Sequence, residues 1–349
     1  MIQGLLMMKT KFAYGADLGW MTQLEDRGFK WINEKGKNVS CLEAVREKGA
    51  DSVRFRIFVN PPEKSYVEEK DGTVVMLGYC DAKRVADAAK RAKDAGMRIM
   101  LDFHYSDEFA DPKKQYIPKD WEGLSHKELC KKVSEHTEYV LGIMKERGVC
   151  PEWVQVGNEI NPGMMHPMGD LETHPTQLVE YINSGYLAVK KVFPDCKVVL
   201  HLASGQHPIW VMPFLENFFE NGGMTDILGF SDYPYWCDII NKETPEENVD
   251  SSIDNWARCI DMYRDRFHKP VMIAEIGGPE YEEKETRKLI GDTIRMLKSV
   301  PEDEGLGIFY WEPEVCSEVL PDAYPLGASR LTKNYTLQLT EALSAYKDA

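Results

Sequence analysis

The sequence predicts an α/β fold, namely a (β/α)8 TIM barrel with elaborated loops after the strands. We expect this barrel to be a single domain that covers residues 1–349. Eight short apolar segments alternate with eight segments of helical spacing, which is the element count of such a barrel. The strand segments are near-continuous apolar runs, as parallel strands covered on both faces require. The chain length of 349 residues leaves room for long loops beyond a minimal barrel.

Apolar, β-branched runs predict the strands, and apolar spacing with the helical period predicts the helices. The predicted strands cover residues 14–19, 52–59, 98–104, 152–159, 197–202, 226–231, 270–276 and 305–311. The predicted helices cover residues 41–48, 81–95, 125–147, 175–193, 208–220, 249–267, 282–297 and 332–346. A doubly wound open sheet is the alternative, but Gly15-Ala-Asp-Leu-Gly19 lacks the spacing of a Gly-rich phosphate turn.

Capping residues justify the helices in the first half of the chain. Ser40 precedes the first helix and Asp81 the second, and both side chains suit an N-cap. The third helix begins with the capping box of Ser125 and Glu128, and it ends at Gly148, a residue type that terminates helices readily. The strands between these helices are rich in Val, Phe and Ile, which favours extended backbone.

The fourth strand is the stretch on which the functional prediction depends. It begins with β-formers at Trp153 and runs into the loop-forming Asn161-Pro-Gly163. Asn158 and Glu159 therefore lie where the strand leaves the sheet, a position that suits a general acid or base. The later strands and helices follow the same alternation, and a helix is predicted to close the chain.

Charge and apolar content limit the classes of partner. The formal net charge is −15, which disfavours nucleic acid and anionic membrane surfaces as partners. No run of about 18 apolar residues is present, so no membrane span is expected. Apolar residues make up 43% of the chain, enough for a large core. We expect a monomer that acts on a neutral substrate.

The N-terminus and the cysteines carry no targeting or ligand pattern. Residues 1–11 are expected to be a flexible extension, because they lack a basic n-region and a long apolar stretch. The chain as written is therefore expected in the cytoplasm, unless a signal peptide has been removed. The eight cysteines are scattered, which predicts reduced thiols rather than a zinc cluster. No metal and no cofactor are expected.

Polar and aromatic residues gather at the carboxyl ends of the predicted strands, where barrels of this kind hold their active sites. The candidates are Asp17, Arg54, Arg56, Asp102, His104, Asn158, Glu159, Tyr233, Trp236, Glu275 and Trp311. Glu159 follows the fourth strand and Glu275 lies in the seventh, and closure of the barrel would bring them face to face. Two opposed carboxylates suit glycoside hydrolysis, because one protonates the leaving oxygen while the other attacks the anomeric carbon or activates water.

Tryptophans near the predicted loops add a substrate class, because sugar rings stack their C–H faces on aromatic side chains. The set is Trp20, Trp121, Trp210, Trp236 and Trp311. Partial burial under a loop explains any one of them equally well, whereas the set together favours a carbohydrate groove.

Other carboxylates near the same rim have a plainer explanation. Asp102, Asp107, Asp111 and Glu312 are also candidates for catalysis, but an Asp beside Arg or His more often orients that partner. His104 with scattered aspartates is a weak signal for a metal site. No Gly-x-Ser-x-Gly elbow is present to support serine hydrolase chemistry.

Seven blocks of sequence run from the first predicted strand to the eighth. They are Gly15-Ala-Asp-Leu-Gly-Trp20, Val53-Arg-Phe-Arg-Ile-Phe-Val-Asn-Pro61, Leu101-Asp-Phe-His-Tyr-Ser-Asp107 with Ala110-Asp-Pro112 and Gln115, Val156-Gly-Asn-Glu-Ile160, Asp232-Tyr-Pro-Tyr-Trp236, Ile273-Ala-Glu275 and Phe309-Tyr-Trp-Glu-Pro313. Together they resemble the endo-β-1,4-galactanases (arabinogalactan endo-1,4-β-galactosidases), which are retaining glycosidases on a (β/α)8 barrel. The resemblance covers nearly the whole chain.

The resemblance implies an endo-acting enzyme that cleaves β-1,4-galactosyl bonds in the (arabino)galactan side chains of pectin with retention. It implies Glu159 as acid/base, Glu275 as nucleophile and Asn158 as a contact of the sugar 2-hydroxyl. Arg56, His104, Tyr233 and Trp311 match positions that line the −1 subsite, and Asp17, Arg54, Asp102 and Trp236 complete the substrate-binding candidates. Arg54 shares a strand face with Arg56 by the two-residue period, so the sequence does not separate their roles.

Departures from the family pattern at Phe58, Phe109 and Asp232 leave the exact substrate open. A mannanase, xylanase or glucanase on the same barrel is the first alternative. A non-catalytic carbohydrate-binding barrel is the second, although a binder needs neither glutamate. Some bacterial members hold calcium in the loops after strands seven and eight, but residues 277–284 supply no Asp-x-Asp run, so we expect no calcium. The family is usually secreted.

Two geometric expectations follow for the glutamates. A retaining pair places its carboxyl groups about 5–5.5 Å apart, whereas an inverting pair leaves roughly 6.5–9.5 Å for a water. The like charge of Glu275 is expected to raise the pKa of Glu159, which would keep the acid protonated in the free enzyme.

Overall fold

Eight parallel strands close into a barrel, which confirms the predicted (β/α)8 architecture. They are β1 (Ala13–Asp17), β2 (Ser52–Ile57), β3 (Arg98–Phe103), β4 (Trp153–Val156), β5 (Lys197–Leu202), β6 (Ile227–Asp232), β7 (Val271–Ile276) and β8 (Gly305–Tyr310). Neighbouring strands follow in chain order around the barrel, and β1 closes the ring by pairing with both β8 and β2. The computed structural model describes residues 11–62, 66–68 and 74–349 of the chain.

Helices cover the outside of the barrel, mostly where the sequence predicts them. They span Met21–Asp26, Cys41–Glu47, Ala82–Asp94, His126–Glu146, Pro175–Val192, Pro208–Glu220, Pro234–Glu243, Ile253–Phe267, Glu283–Ser299 and Ala345–Asp348, with short 3-10 turns at Lys119–Trp121, Pro301–Asp303 and Ala342–Ser344. The predicted caps are confirmed: Ser40 accepts the Glu43 N–H, Asp81 caps its helix, and Ser125 and Glu128 form the capping box. No helix in the described part of the chain is long and apolar enough to cross a membrane.

The lower part of the barrel interior is filled by apolar side chains. This cluster contains Ala13, Met100, Trp153, Val199, Ile227, Met272, Ala274, Leu306 and Phe309. Trp153 from β4 and Phe309 from β8 lie on opposite sides of the ring, yet their ring centroids are 5.9 Å apart. Gly15 makes room for this packing, because a Cβ there would lie 2.1 Å from the Phe309 ring. The interior is therefore a packed core, and a site can form only at one end of it.

The helix predicted for residues 332–346 is wrong over most of its length. Strands Ser329–Lys333 and Thr336–Leu339 form a hairpin instead, and helical structure begins only at Ala342–Ser344. The hairpin joins Lys30–Ile32 and Asn38–Val39 in a four-stranded sheet outside the barrel. The partner strand lies about 300 residues away in the sequence, so local spacing could not reveal it; alternate residues Leu337 and Leu339 are buried, which is the two-residue period of a strand.

The remaining strands are short hairpins in the loops: Tyr66–Glu68 with Val74–Met76, and Gly163–Met164 with Gly169–Asp170. All eight cysteines lie within the described residues and are free thiols there. The expectation of a flexible N-terminal extension concerns residues 1–11, of which 1–10 lie outside the described part of the chain.

Candidate active site

A ring of buried polar side chains lies directly above the apolar core, at the carboxyl ends of the barrel strands. Its members are Asp17, Arg54, Asp102, Gln155, His201, Ser231 and Glu275, one from each of seven strands. Polar groups at this depth need partners, because an unpaired buried charge destabilises the fold by about 3–5 kcal/mol. The ring supplies those partners internally, and its hydrogen bonds define the site.

The end of β4 turns Asn158 and Glu159 into the barrel mouth. The strand ends at Val156, three residues before the predicted boundary. Gly157 follows with φ +83°, a conformation that favours glycine, and a Cβ there would lie 2.8 Å from Ile160 Cγ2. Glu159 itself has φ +48°, which is uncommon for a residue with a side chain and is typical of functional positions.

A register shift in β7 turns Glu275 toward the same point. Ile273 pairs with Phe230 of β6, but the next pair is Glu275 with Ser231, so β7 contains one extra residue. Met272 and Ala274 already point into the barrel core, and strict alternation would send Glu275 outward. The bulge re-aims Glu275 into the polar ring, a use of bulges that is common beside active sites.

The two glutamates face each other across the mouth. One carboxylate oxygen of Glu159 and one of Glu275 lie within 4.8 Å of each other. Glu159 is half-buried, whereas Glu275 is 5% exposed, so a ligand in the mouth reaches both side chains. An oxygen–oxygen approach this close is compatible with the retaining separation of about 5–5.5 Å between carboxyl groups, and it leaves less space than the roughly 6.5–9.5 Å of an inverting pair.

Glu275 has the partners that an anion needs. Its Oε1 lies 2.9 Å from Arg54 Nη1, and its Oε2 accepts a hydrogen bond from the Tyr233 hydroxyl at 3.1 Å. Burial raises the pKa of Glu275 well above its usual value, the Arg54 guanidinium opposes that rise, and Glu159 adds to it. Because a cation and a hydroxyl donor both contact its oxygens, we assign the negative charge of the pair to Glu275.

Arg54 holds the ring together from its centre. It is fully buried, and it donates to Asp17 Oδ2 at 3.0 Å and to Asp102 Oδ2 at 2.9 Å. It also donates to Gln155 Oε1 at 2.9 Å and to Asn158 Oδ1 at 3.0 Å. Burial alone would raise the pKa of Asp102. Arg54 and His104 outweigh burial, so the pKa of the Asp102 carboxyl lies below its usual value.

Asn158 is fixed by protein groups on almost every side. Its Oδ1 accepts from Arg54, from Gln155 Nε2 at 3.0 Å and from His201 Nδ1 at 2.9 Å. Its Nδ2 donates one hydrogen to Ala110 O at 2.8 Å. The amide orientation is therefore set by the network, and only the second Nδ2 hydrogen remains for a ligand.

A chain of hydrogen bonds runs from Asn158 through His201 and Ser231 to Glu159. His201 Nε2 lies 2.9 Å from Ser231 Oγ, which lies 2.5 Å from Glu159 Oε1. Burial lowers the pKa of His201 well below its usual value, so the ring is neutral and carries one proton. That proton belongs on Nδ1, because Asn158 Oδ1 can only accept.

The tautomer of His201 bears on the proton of Glu159. With Nε2 as an acceptor, the Ser231 hydroxyl satisfies it by donating to it, and Ser231 Oγ then accepts from a protonated Glu159. If Glu159 ionises, the serine hydroxyl turns to the carboxylate and leaves Nε2 without its donor. Burial also raises the pKa of Glu159, to about 7. A hydroxyl that Ser231 donates to the carboxylate lowers this pKa, but burial outweighs it. Burial therefore favours the neutral acid, and it replaces the charge of Glu275 as the leading cause that the sequence predicted.

The structure separates Arg56 from Arg54. Arg56 is fully buried, donates to Glu312 Oε1 at 2.7 Å, and lies 3.7 Å from Asp17 Oδ1. Its guanidinium lies over the rings of Trp20, Phe109 and Trp311 at 4.7–5.2 Å from their centroids. Arg54 therefore contacts Glu275, whereas Arg56 supports the aromatic wall beside it.

His104 is likewise satisfied within the protein. Its Nδ1 accepts the Ala110 N–H at 2.9 Å, and its Nε2 lies 2.8 Å from Asp102 Oδ2. Both ring nitrogens thus face protein partners. The Phe58 and Phe109 rings pack edge-on against the imidazole, which fixes its plane. This side chain holds the loop after β3 in place beside the mouth.

The aromatic argument from the sequence is only partly supported. Trp20, Trp121 and Trp311 are buried, so they are wall and core rather than the exposed stacking surface that the sequence predicted. Trp311 packs with Tyr233 and Leu326 in a cluster at the mouth. Trp236 is exposed, and its described ring contact is Tyr235, at 4.8 Å between centroids. Trp236 thus lies beyond the polar ring, at the rim.

Several residues of the site escape a reading of the sequence alone. Gln155 and Ser231 are central to the hydrogen-bond network, and Tyr324 packs against the cluster of Tyr233 and Trp311 from the loop after β8. A signal for Gln155 did exist, because it is the one polar residue at an inward position of β4. Ser231 and Tyr324 have no such signal, since their roles depend on neighbours from other strands and loops.

Asp232, one of the departures from the family pattern, ends β6 but does not face the mouth. Its Oδ1 accepts from Trp256 Nε1 at 2.9 Å and its Oδ2 from the Thr293 hydroxyl at 3.4 Å, both on helices outside the barrel. The loops after β7 and β8 are joined by Glu280, which accepts the Ser317 N–H at 2.8 Å. The Glu280 carboxylate thus links the two loops, and the expectation of no calcium there stays a prediction.

Comparisons with known proteins agree with the geometry. The sequence model of glycosyl hydrolase family 53 matches residues 13–346. The arabinogalactan endo-β-1,4-galactanase of Cellvibrio japonicus (strain Ueda107) is 30% identical over 332 residues, which cover 87% of this chain and 81% of that protein. The endo-β-1,4-galactanase of Bacillus subtilis (strain 168) is 28% identical over 327 residues, covering 88% and 71%. The GH53 catalytic domain of Ignisphaera aggregans superposes with a TM-score of 0.80 at 27% identity, over 97% of this chain and 96% of that one.

Proposed function

We propose that this chain, which belongs to glycosyl hydrolase family 53, is an arabinogalactan endo-β-1,4-galactanase. It hydrolyses internal β-1,4-galactosyl bonds of galactan and arabinogalactan, the side chains of pectin. One structural observation carries the proposal: Glu159 and Glu275 bring carboxylate oxygens within 4.8 Å of each other in an accessible barrel mouth. Two carboxylates at that separation fit double displacement with retention.

In this proposal Glu275 is the nucleophile and Glu159 the acid/base. First, a Glu275 oxygen attacks the anomeric carbon and forms a glycosyl ester, the bond to the leaving oxygen breaks, and Glu159 gives its proton to that oxygen. Next, the Glu159 carboxylate takes a proton from water, and the water oxygen attacks the same carbon and displaces Glu275. Two inversions at one carbon retain the configuration.

The other predicted residues divide into contacts and supports. Asn158 has one N–H left, which suits donation to the sugar 2-hydroxyl. The exposed Trp236 suits stacking at the rim, whereas the buried Trp311 forms part of the wall of the mouth. Tyr233 contacts the nucleophile and also faces the −1 position. The positioning residues are Asp17, Arg54, Arg56, Asp102 and His104, each of which makes a hydrogen bond to another residue around the mouth.

Galactan and galacto-oligosaccharides are the proposed partners. The net charge of −15 suits a neutral polysaccharide and disfavours nucleic acid and anionic membranes. We further propose that the chain works as a monomer and as a single catalytic domain, because the glutamate pair and its supports come from strands of one barrel.

The substitution Glu275→Gln tests the assignment. It keeps the shape of the side chain but removes the nucleophilic oxygen anion, so turnover of linear galactan should fall on the order of 10³-fold or more. Glu285→Gln, on the exposed face of the helix after β7, is the matched control and should retain full activity. Near-normal turnover by Glu275→Gln would show that another residue attacks.

Product analysis tests the substrate and the mode of attack. Linear β-1,4-galactan should give a ladder of oligosaccharides early in the reaction, with the β-anomer as the first product seen by NMR. Mannan, xylan and glucan should release far less reducing sugar. Early release of galactose alone would contradict endo attack, and preference for another polysaccharide would contradict the galactanase assignment.

A further inference from the structure

Three metal-binding side chains converge on the outer surface, away from the barrel mouth. His126 begins the helix His126–Glu146 that follows β3, and Cys130 lies one turn further along the same face. Glu180 projects from the neighbouring helix Pro175–Val192, which follows β4. Local sequence patterns do not reveal this group, because Cys130 and Glu180 lie 4 and 54 residues from His126 and only helix packing unites the three.

The donor atoms lie within the reach of one ion. His126 Nε2 is 2.6 Å from Glu180 Oε2 and 3.9 Å from Cys130 Sγ, and one donor atom of each residue lies within 4.8 Å of the others. Ligand atoms in a tetrahedral zinc site are roughly 3.3–3.8 Å apart, given bonds of about 2.0–2.3 Å. The His126–Cys130 pair nearly has this spacing already. The distance between His126 Nε2 and Glu180 Oε2 must lengthen by less than about 1 Å. The long side chain of Glu180 allows this, because it is 56% exposed.

The surroundings leave the cluster open on one side and fixed on the other. The Tyr181 ring packs against the His126 imidazole at 5.0 Å between centroids and limits its orientation. The His126 side chain is 21% exposed and that of Glu180 is 56% exposed, so an ion can enter from solvent. Cys130 is half-buried between them.

We propose that His126, Cys130 and Glu180 form a binding site for a borderline-soft divalent cation such as Zn²⁺, with water at the fourth position. Imidazole nitrogen, thiolate sulfur and one carboxylate oxygen are a ligand set that zinc accepts and that calcium and magnesium do not prefer. On binding, the Cys130 thiol releases its proton to solvent as the sulfur–metal bond forms, and His126 binds through Nε2 with its proton on Nδ1.

The role of such a site is structural. The ion would link the two helices that follow β3 and β4, the strands that place Asp102 and Gln155 in the ring. A cation that binds the folded chain and not the unfolded one stabilises the fold by mass action. Burial, with Glu180 adding to it and Ser184 opposing it, raises the pKa of Cys130. Binding should therefore strengthen as the pH rises.

Calorimetric titration of the reduced, full-length protein with Zn²⁺ at about pH 7.5 tests the site. Wild type should bind one ion per chain, and affinity should fall about tenfold or more in both Cys130→Ser and Glu180→Gln. Cys150→Ser removes another exposed thiol and is the matched control, which should bind like wild type. With Co²⁺, a thiolate-to-metal charge-transfer absorption should appear in wild type and Cys150→Ser and be lost in Cys130→Ser.

Other results would overturn the proposal. They are the absence of saturable Zn²⁺ binding, unchanged affinity in Cys130→Ser and Glu180→Gln, or an equal loss in Cys150→Ser. Glu180→Gln changes a mostly exposed side chain, so it reports on the ion even if Cys130→Ser folds poorly. Far-ultraviolet circular dichroism of the metal-free variants confirms that only folded chains are compared.

Discussion

The substitution Tyr233→Phe should move the acid limb of the pH profile to higher pH. The Tyr233 hydroxyl donates to Glu275 Oε2 at 3.1 Å, while Arg54 stays 2.9 Å from Oε1, so the change deletes one donor and leaves the cation in place. The attacking form of Glu275 is the anion, and a hydrogen-bond donor stabilises the anion. Removing the donor therefore raises the pKa of Glu275.

The expected shift in the pKa of Glu275 follows from the loss of this one hydrogen bond. A hydrogen bond to a charged group contributes about 1.5–3 kcal/mol, and about 1.4 kcal/mol corresponds to one pH unit. The acid limb of kcat/KM should therefore move up by about one to two pH units. At a fixed pH on that limb, kcat/KM should fall about 10- to 100-fold, with a smaller loss on the plateau.

Initial rates on linear galactan from about pH 4 to pH 9 give kcat/KM for the free enzyme, whose limbs report the glutamate pair as a unit. Tyr281→Phe is the control, because it removes a tyrosine hydroxyl from a residue that is 71% exposed. The reasoning fails if the acid limb of Tyr233→Phe stays in place or moves to lower pH, or if Tyr281→Phe produces the same shift.

His201 should remain neutral with its proton on Nδ1 from about pH 5 to pH 8, because burial lowers its pKa and Asn158 Oδ1 accepts that proton. Long-range ¹H–¹⁵N correlation spectra read the tautomer, and a charged ring or an Nε2–H form would contradict the hydrogen-bond chain to Glu159. Glu314→Gln should stabilise the fold by an amount that grows as the pH rises above about 4.5. Burial raises the pKa of Glu314, so the unfolded chain loses that proton at a lower pH than the folded chain does. The free energy of unfolding of the wild type therefore falls over that pH range, and the variant avoids this loss. The glutamine keeps an oxygen that accepts the backbone N–H of Trp20. Urea unfolding at acid and at neutral pH measures the gain in free energy of unfolding, and equal gains at the two pH values would contradict the prediction.

Local patterns were sufficient for most of the barrel. Each predicted strand overlaps one barrel strand, and the caps at Ser40, Asp81 and Ser125 lie where the sequence places them. These features depend on neighbours within a few residues, so composition and spacing contain the information. The prediction failed at the C-terminal hairpin for the opposite reason. The hairpin is stabilised by the pairing of Leu337 with Trp31, and no local window of the sequence contains both residues.

The site shows the same division. The position of Glu159 after β4 follows from the strand that precedes it, and closure of the barrel then places it opposite β7. Glu275 is different, because the two-residue period would point it outward next to Ala274, and only the extra residue in β7 brings it inward. That bulge has no local signature, so the sequence named Glu275 only from its place near the end of the seventh predicted strand, and the family resemblance then implied its role as nucleophile. The partners that decide proton location, Ser231 and His201, come from other strands.

The two glutamates have the same side chain and are distinguished by what surrounds them. Glu275 faces a cation and a hydroxyl donor, whereas Glu159 ends a neutral chain through Ser231. Arg54 contributes to both environments, because it contacts Glu275 and also fixes Asn158, which sets the tautomer of His201. A substitution of Arg54 would therefore change the fold, the nucleophile and the acid together. Tyr233 touches only one glutamate, so its removal can separate the protonation of the nucleophile from that of the acid.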